Sequence, residues 1–331
     1  MQGYVLTRYR HPMELREVPE PTAGDGEVLI RVRAAGLNPV DYKTRDGAAR
    51  LIWRYDLPVV MGNELSGVVE KVGTGVTRFA VGDRVFTRVD HQKMGAFATY
   101  AVVNESLVGT MPESLDFVEA AGLPLAGLTA LQGLRDELAV STGDRVFISG
   151  GAGGVGTLAI QLAVWMGATV ATTASPRGEK LVRSLGAERV INYQVQKFKD
   201  VLRDYDGAFD LVGGQELRDS FDVLKRGAKT VTIAGVPEPT TARVDLGMGP
   251  LPTAGAWAIS TQIRHRARRR GVGYRNMIMH PSGDDLDLLA RLVDGGQLKP
   301  VIDRAFPFQQ IADAFAFIEQ GHAKGKVIVQ L

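Results

Sequence analysis

Residues 144–166 constrain this chain more than any other stretch. A short apolar strand, Arg145-Val146-Phe147-Ile148-Ser149, runs into Gly150-Gly151-Ala152-Gly153-Gly154-Val155-Gly156 and then into an apolar helix over 155–166. Gly151, Gly153 and Gly156 fit G-x-G-x-x-G. One glycine makes the tight turn, one lets backbone approach a pyrophosphate, and one lets the helix close on the strand. Free N–H groups at the start of such a helix face an anion. A glycine-rich turn alone means little, but strand, loop and helix in register form the context a dinucleotide site requires.

The surrounding chain alternates in the same rhythm. Residues 169–174, 189–192, 209–212 and 229–234 read as strands, with a helix over 179–185 closed by Gly186. Residues 119–138 carry one long apolar helical spacing. This β-α-β order predicts an α/β fold with a doubly wound, Rossmann-type parallel sheet. Before residue 117 the pattern is different. Val28, Ile30 and Val32 alternate with Arg31 and Arg33, and 65–72, 83–87 and 96–103 are further short strands between glycine turns. That pattern predicts a compact, strand-rich barrel or sandwich. The tail from Lys299 reads strand, helix (311–320), strand (326–330).

Several function classes are excluded by composition. The chain has 331 residues, enough for two cores. It contains no cysteine, so disulfides, thiolate nucleophiles and iron–sulfur clusters are out. A net charge of +2 gives no general pull toward nucleic acid or anionic membrane. No apolar run approaches a membrane span, and the N-terminus lacks a signal-peptide core. The expectation is a cytoplasmic protein.

The strand after the glycine loop separates the two nicotinamide dinucleotides. NAD-binding folds usually carry an acid there for the ribose hydroxyls. This chain reads Thr172-Thr173-Ala174-Ser175-Pro176-Arg177, with no acid. Ser175 can donate to a 2′-phosphate, and Arg177 and Lys180 supply positive charge. The expected cofactor is NADPH. The plainer reading of these three is a solvated helix start.

Further landmarks are Gly36-Leu37-Asn38-Pro39-Val40-Asp41-Tyr42-Lys43, Gly62-Asn63-Glu64-Leu65-Ser66-Gly67, Val81-Gly82-Asp83-Arg84-Val85, Gly95-Ala96-Phe97-Ala98-Thr99-Tyr100, Ala120-Ala121-Gly122-Leu123-Pro124 and Gly325-Lys326-Val327-Ile328-Val329. In this order the whole chain resembles the medium-chain dehydrogenase/reductase superfamily, in its zinc-independent quinone oxidoreductase (zeta-crystallin-like) branch. The stretch LDFVEAAGLPLAGLTAL is also similar to plant alkenal and enone reductases. The resemblance implies a GroES-like catalytic domain over 1–117 completed by 298–331, and an NADP-binding domain over 118–297. It further implies a homodimer that reduces quinones or the C=C bond of α,β-unsaturated carbonyls. Carried over by position, Asn38 lies near nicotinamide and substrate, and Thr129 near the adjoining phosphate. Gly153, Gly154 and Val155 contact the pyrophosphate, Ser175 and Arg177 the 2′-phosphate, and Tyr193 the adenosine end. Gly235 and Ile278, within 277–279, line the nicotinamide, and Lys326 reaches the cofactor phosphates.

In zinc-bearing cousins, Cys and His occupy the positions of Asn38 and Asn63. A tetrahedral catalytic zinc needs three protein ligands, so no metal is expected. His11, His91, His265, His280 and His322 show no ligand spacing. Without a Lewis acid, hydride addition to an activated acceptor is the easier chemistry. Tyr42, Lys43 or water can supply the proton, although barrel packing and surface exposure are the plainer roles for the two side chains. Two alternatives remain: a zinc-free reductase or dehydrogenase of another carbonyl compound, or a non-enzymatic NADPH-binding protein that senses redox state or binds RNA. Segments 51–57 and 237–251 are the expected pocket walls. The run Arg264-His265-Arg266-Ala267-Arg268-Arg269-Arg270 reads as a solvated helix end opposing the helix dipole, with RNA or an acidic partner as the sharper alternatives.

Overall fold

The structure is a computed structural model that describes residues 1–48, 50 and 55–331. Its contacts divide the chain into two units, Thr129–His280 and Met1–Leu128 with Pro281–Leu331.

The unit Thr129–His280 holds a six-stranded sheet, every neighbouring pair of which is parallel. Across it run Arg189–Asn192, Thr169–Ala174, Arg145–Ile148, Tyr205–Asp210, Leu224–Thr232 and Gly273–Asn276. Numbered along the chain this is the order 3-2-1-4-5-6 of the doubly wound dinucleotide fold. Helix Gly154–Trp165 leaves the first strand and buries every residue from Gly156 to Ala163, which explains why its sequence is apolar on all sides.

Two elements differ from the sequence expectation. The helix expected over 179–185 begins earlier, as Pro176–Ser184, because Ser175 takes the N-cap and Pro176 the first helical position. The single helix expected over 119–138 divides into Phe117–Ala121, Pro124–Gln132 and a π-helical turn, Gly133–Glu137. Pro124 has no N–H to continue the first helix and so opens the next.

In the other unit, a seven-stranded sheet orders Ile302–Pro307, Lys326–Gln330, Glu27–Leu37, Glu64–Val72, Arg84–Arg88 and Val108–Thr110, with Tyr100–Asn104 also on Glu27–Leu37. The C-terminal strand runs antiparallel to the centre of this sheet, Val327 opposite Leu37. Helices Phe117–Ala121 and Gly283–Asp294 pack on its strands, and this places the division at residues 128 and 280. A smaller sheet joins Glu14–Glu17, Gln2–Leu6 and Val59–Val60. The core contains Val28, Ile30, Val32, Leu65, Val85, Phe97 and Phe315, while Arg33 faces water as the alternation predicts.

Candidate active site

The glycine loop shows why its residue types are needed. Gly150 has φ +65. A Cβ on Gly151 would come within 2.1 Å of Thr172 Oγ1, and one on Gly156 within 2.4 Å of the Gly150 carbonyl. Around Gly153 the nearest atom would be 3.4 Å away, so the fold itself does not demand glycine there. The space over Gly153 suits a phosphate against bare backbone. Gly153 is also the N-cap of Gly154–Trp165 and offers no side-chain cap. The first-turn N–H groups, those of Gly154 and Val155 among them, are thus left for a ligand. Thr173 braces the loop by accepting from the Gly150 N–H at 2.9 Å through Oγ1 and from the Gly151 N–H at 3.0 Å through its carbonyl.

The next helix comes close to this loop because of Gly178, whose added Cβ would meet Ala152 Cβ at 2.9 Å. Sequence reasoning passed over this glycine, since nothing local distinguishes it. Ser175 makes no side-chain capping bond, and Arg177 and Lys180 are exposed. No carboxylate occupies residues 169–178. Tyr193 is half-exposed just past Arg189–Asn192, and Thr129 is buried. Gly235 packs beneath Tyr274, whose hydroxyl accepts from the Val236 N–H at 2.9 Å and donates to the Val236 carbonyl at 2.6 Å. The Ile278 N–H donates to Asp245 Oδ2 at 2.9 Å.

Asp245 belongs to a lock that sequence reasoning missed. The Arg275 guanidinium bonds Asp245 at 2.5 Å, Glu137 at 2.9 Å, Glu238 at 3.2 Å and the Asn276 carbonyl at 2.7 Å. Burial opposes its charge, yet the bonds to Asp245 and Glu137 outweigh that and hold the guanidinium more firmly protonated than usual. The lock ties part of the expected pocket wall 237–251 to the sheet edge. Of the other expected wall, residues 51–54 lie outside the described residues.

The other unit holds a buried polar cluster of its own. Asn38 caps helix Pro39–Arg45. Its N–H donates to Asp41 Oδ2 at 2.7 Å, and its Nδ2 donates to Glu64 Oε1 at 2.7 Å. Asn63 Nδ2 donates to Asp41 Oδ1 at 2.6 Å. The Lys326 ammonium donates to Glu64 Oε1 at 2.6 Å, to the Leu37 carbonyl at 3.1 Å and to Asn38 Oδ1. Glu64 Oε2 accepts the Leu125 N–H at 2.7 Å. Glycines make this approach possible. A Cβ on Gly36, the cross-strand partner of Glu64, would lie 2.3 Å from Glu64 Oε1, and one on Gly122 would meet Lys326 Cβ at 3.3 Å.

The structure thus gathers Asn38 and Lys326 with Asp41, Asn63 and Glu64. Tyr42 and Lys43 are not among them. The Tyr42 ring packs against the core, and burial, then Glu319 and Asp46, raise its pKa, which makes it a weaker acid. Lys43 is exposed. All three donors of Lys326 are engaged within the cluster. His91 is held below its ordinary pKa by burial and by Arg88.

Asp41 is fully enclosed, and burial pushes its pKa up to about 7 against the bonds from Asn63 and Asn38, with Glu64 adding repulsion. The unfolded chain ionises this group near 3.8, so the folded state holds the proton more tightly. Its contribution therefore favours folding below about pH 4 and declines as pH rises toward 7, by on the order of 4 kcal/mol. Thermal unfolding of the wild type and Asp41→Asn, followed from about pH 4 to about pH 8, should differ in slope by that contribution. Parallel profiles would remove Asp41 as the source.

Against known proteins, residues 24–113 match the alcohol dehydrogenase GroES-like domain and residues 185–329 match zinc-binding dehydrogenase. The mitochondrial NAD(P)H oxidoreductase RTN4IP1 of Danio rerio is 36% identical over 326 residues, covering 92% of this chain and 84% of the relative. The chain belongs to the medium-chain dehydrogenase/reductase superfamily. The chloroplastic NADPH-dependent alkenal/one oxidoreductase of Arabidopsis thaliana is 37% identical over 320 residues, covering 93% of this chain and 73% of that one. The structure of the quinone oxidoreductase from Coxiella burnetii matches with TM-score 0.85 and 32% identity, over 100% of this chain and 99% of that one. Like these members of the superfamily, the chain is an oxidoreductase with a nicotinamide cofactor, and its fold pairs a Rossmann sheet with a GroES-like domain.

The superfamily's zinc chemistry does not fit this donor set. Asn38 and Asn63 offer amides where soft or imidazole ligands are needed. The Asn38 amide is bonded at both ends, both Glu64 oxygens are taken, and an ammonium already lies among them. A second cation there would meet repulsion and no open ligand.

Proposed function

We propose that this chain uses NADPH to reduce quinones or the C=C bond of α,β-unsaturated carbonyl compounds, without a metal. The observation that carries the reading is the end of strand Thr169–Ala174, where an uncapped Ser175 hydroxyl and exposed Arg177 and Lys180 replace a carboxylate beside the glycine loop. The names of the relatives, an NADPH-dependent alkenal/one oxidoreductase and a quinone oxidoreductase among them, support the acceptor class.

Gly151, Gly153, Gly154 and Val155 would hold the pyrophosphate, Ser175, Arg177 and Lys180 the 2′-phosphate, Tyr193 the adenosine end, and Thr129, Gly235 and Ile278 the nicotinamide side. Bound coenzyme supplies a hydride. An enone that accepts it at carbon develops negative charge on oxygen, and one proton then completes the reduction. Hydrogen-bond donors fixed before reaction stabilise such charge without reorganisation. The Asn38–Lys326 cluster spends its donors on itself and contributes by holding the Asn38 loop in place. With Tyr42 made less acidic and Lys43 in solvent, water is the proton source we favour. The reading includes a cytoplasmic homodimer.

The test is loss of reduced-nicotinamide absorbance with a panel of quinones, enals and enones. NADPH should support turnover far better than NADH. Arg177→Ala should weaken NADPH by on the order of ten- to a hundredfold, the worth of charge-assisted bonds, and leave NADH nearly unchanged. Tight NADPH binding with no turnover of any acceptor would sink the enzyme reading. Equal use of both coenzymes would sink the 2′-phosphate assignment.

A further inference from the structure

Helix Pro250–Ile259 (PLPTAGAWAI) contains no charged residue, yet only Ala256 is buried. Leu251, Trp257 and Ile259 are 84%, 56% and 64% exposed, and Val244, on the turn packed against this helix, is 69% exposed. Isolated exposed apolar residues need no explanation, but an uncharged helix that leaves this much apolar surface in water marks an interaction surface, with Trp257 and Ile259, two positions apart, on opposite flanks of it.

The next helix, Thr261–Arg270, gives the patch a charged border. It carries Arg264, Arg266, Arg268, Arg269 and Arg270 and no acid. Its inner side packs through Ala267 and Ile263 onto Leu217 and Phe221, and Arg270 pairs with Asp222 at 2.8 Å. Arg268 and Arg269, one turn beyond His265, are exposed and make no ion pair among the described residues. The Arg264 guanidinium lies 5.5 Å from the centre of the Trp257 ring and donates to the Trp257 carbonyl, which joins the apolar and basic parts into one surface. The whole chain is only +2, so these five arginines leave the remainder net acidic.

We infer that this surface docks on an anionic lipid bilayer, with Leu251 and Trp257 entering the headgroup boundary and Arg268 and Arg269 meeting lipid phosphates. An amphipathic surface with Trp and Leu beside arginines has the composition of interfacial anchors. Each cation near an anionic leaflet strengthens attachment by about fivefold. A second copy of this chain fits less well, since a two-fold contact through the patch would bring like charges together. RNA is disfavoured because, within Thr261–Arg270, no Phe, Tyr or Trp interleaves the arginines for base stacking. The inference is independent of which acceptor the enzyme reduces.

The full chain would be sedimented with phosphatidylcholine vesicles, alone or containing phosphatidylglycerol. Binding is expected only to the anionic vesicles and should fall with added salt. Arg268→Glu with Arg269→Glu should weaken it by at least tenfold, and Leu251→Ser with Trp257→Ser likewise. Unchanged turnover of a water-soluble acceptor by the arginine pair of variants verifies folding. Equal attachment to neutral and anionic vesicles, or no attachment at all, would overturn the inference. So would self-association without lipid, or retention of RNA at physiological salt, that these substitutions abolish while vesicle binding persists.

Discussion

Lys326→Met should destabilise the protein by about 3–5 kcal/mol, the cost of leaving a buried charge without its partner. Glu64 is fully enclosed and Lys326 nearly so, and without the ammonium one Glu64 oxygen keeps only the Asn38 amide. Asn38 loses the bond to its Oδ1 in the same step, so the loop carrying it loosens and turnover should fall with stability. Denaturant unfolding measures the first effect and steady-state kinetics the second. Adding Glu64→Gln removes the orphaned charge and should recover most of the stability. NADPH affinity of the double variant then separates two roles. A lysine that also reaches a coenzyme phosphate predicts weakened binding even after stability returns, whereas a lysine confined to the cluster predicts affinity close to wild type. A single Lys326→Met variant as stable as wild type would contradict the packing described for this cluster.

The second large effect is at the glycine loop. Gly156→Ala should weaken NADPH binding by at least about a hundredfold, because its new Cβ would meet the Gly150 carbonyl at 2.4 Å and Gly151 Cα at 2.7 Å. These atoms are backbone of the loop itself, so no side-chain rotation relieves the contact, and close-packed interiors do not absorb such an overlap cheaply. Gly153→Ala is the informative companion. Its nearest neighbour would be an ordinary 3.4 Å away, so thermal stability should hold. Coenzyme affinity should nevertheless drop, because the methyl occupies space assigned to a phosphate. Calorimetric titration with NADPH beside a thermal melt distinguishes them. If Gly153→Ala bound as tightly as wild type, the phosphate would not lie on that backbone.

The second of these predictions rests on what the sequence shows locally. The glycine loop and the missing acid are legible because their physics is local. A turn, a cap and a helix start each depend on residues within a few positions of one another. The misplaced helix boundaries had local signals too, Pro124 and the pair Ser175-Pro176, which apolar spacing alone overrode. Strand Gly273–Asn276 went unread because four residues beyond a basic run carry too little periodicity.

By itself, then, the sequence determined the alternation of strands and helices after residue 144, the doubly wound sheet it implies, the glycine turn after the first of those strands and the absence of thiol chemistry. Tertiary structure alone decided which polar groups meet. Glu64 lies 26 residues from Asn38 and 262 from Lys326, and their meeting depends on the pairing of Glu27–Leu37 with Glu64–Val72 and Lys326–Gln330. A one-residue slip in either register would turn these side chains to the opposite face. Burial, which raises the Asp41 pKa and leaves Trp257 and Ile259 in water, is likewise a property of the packed chain. No run of residues carries it.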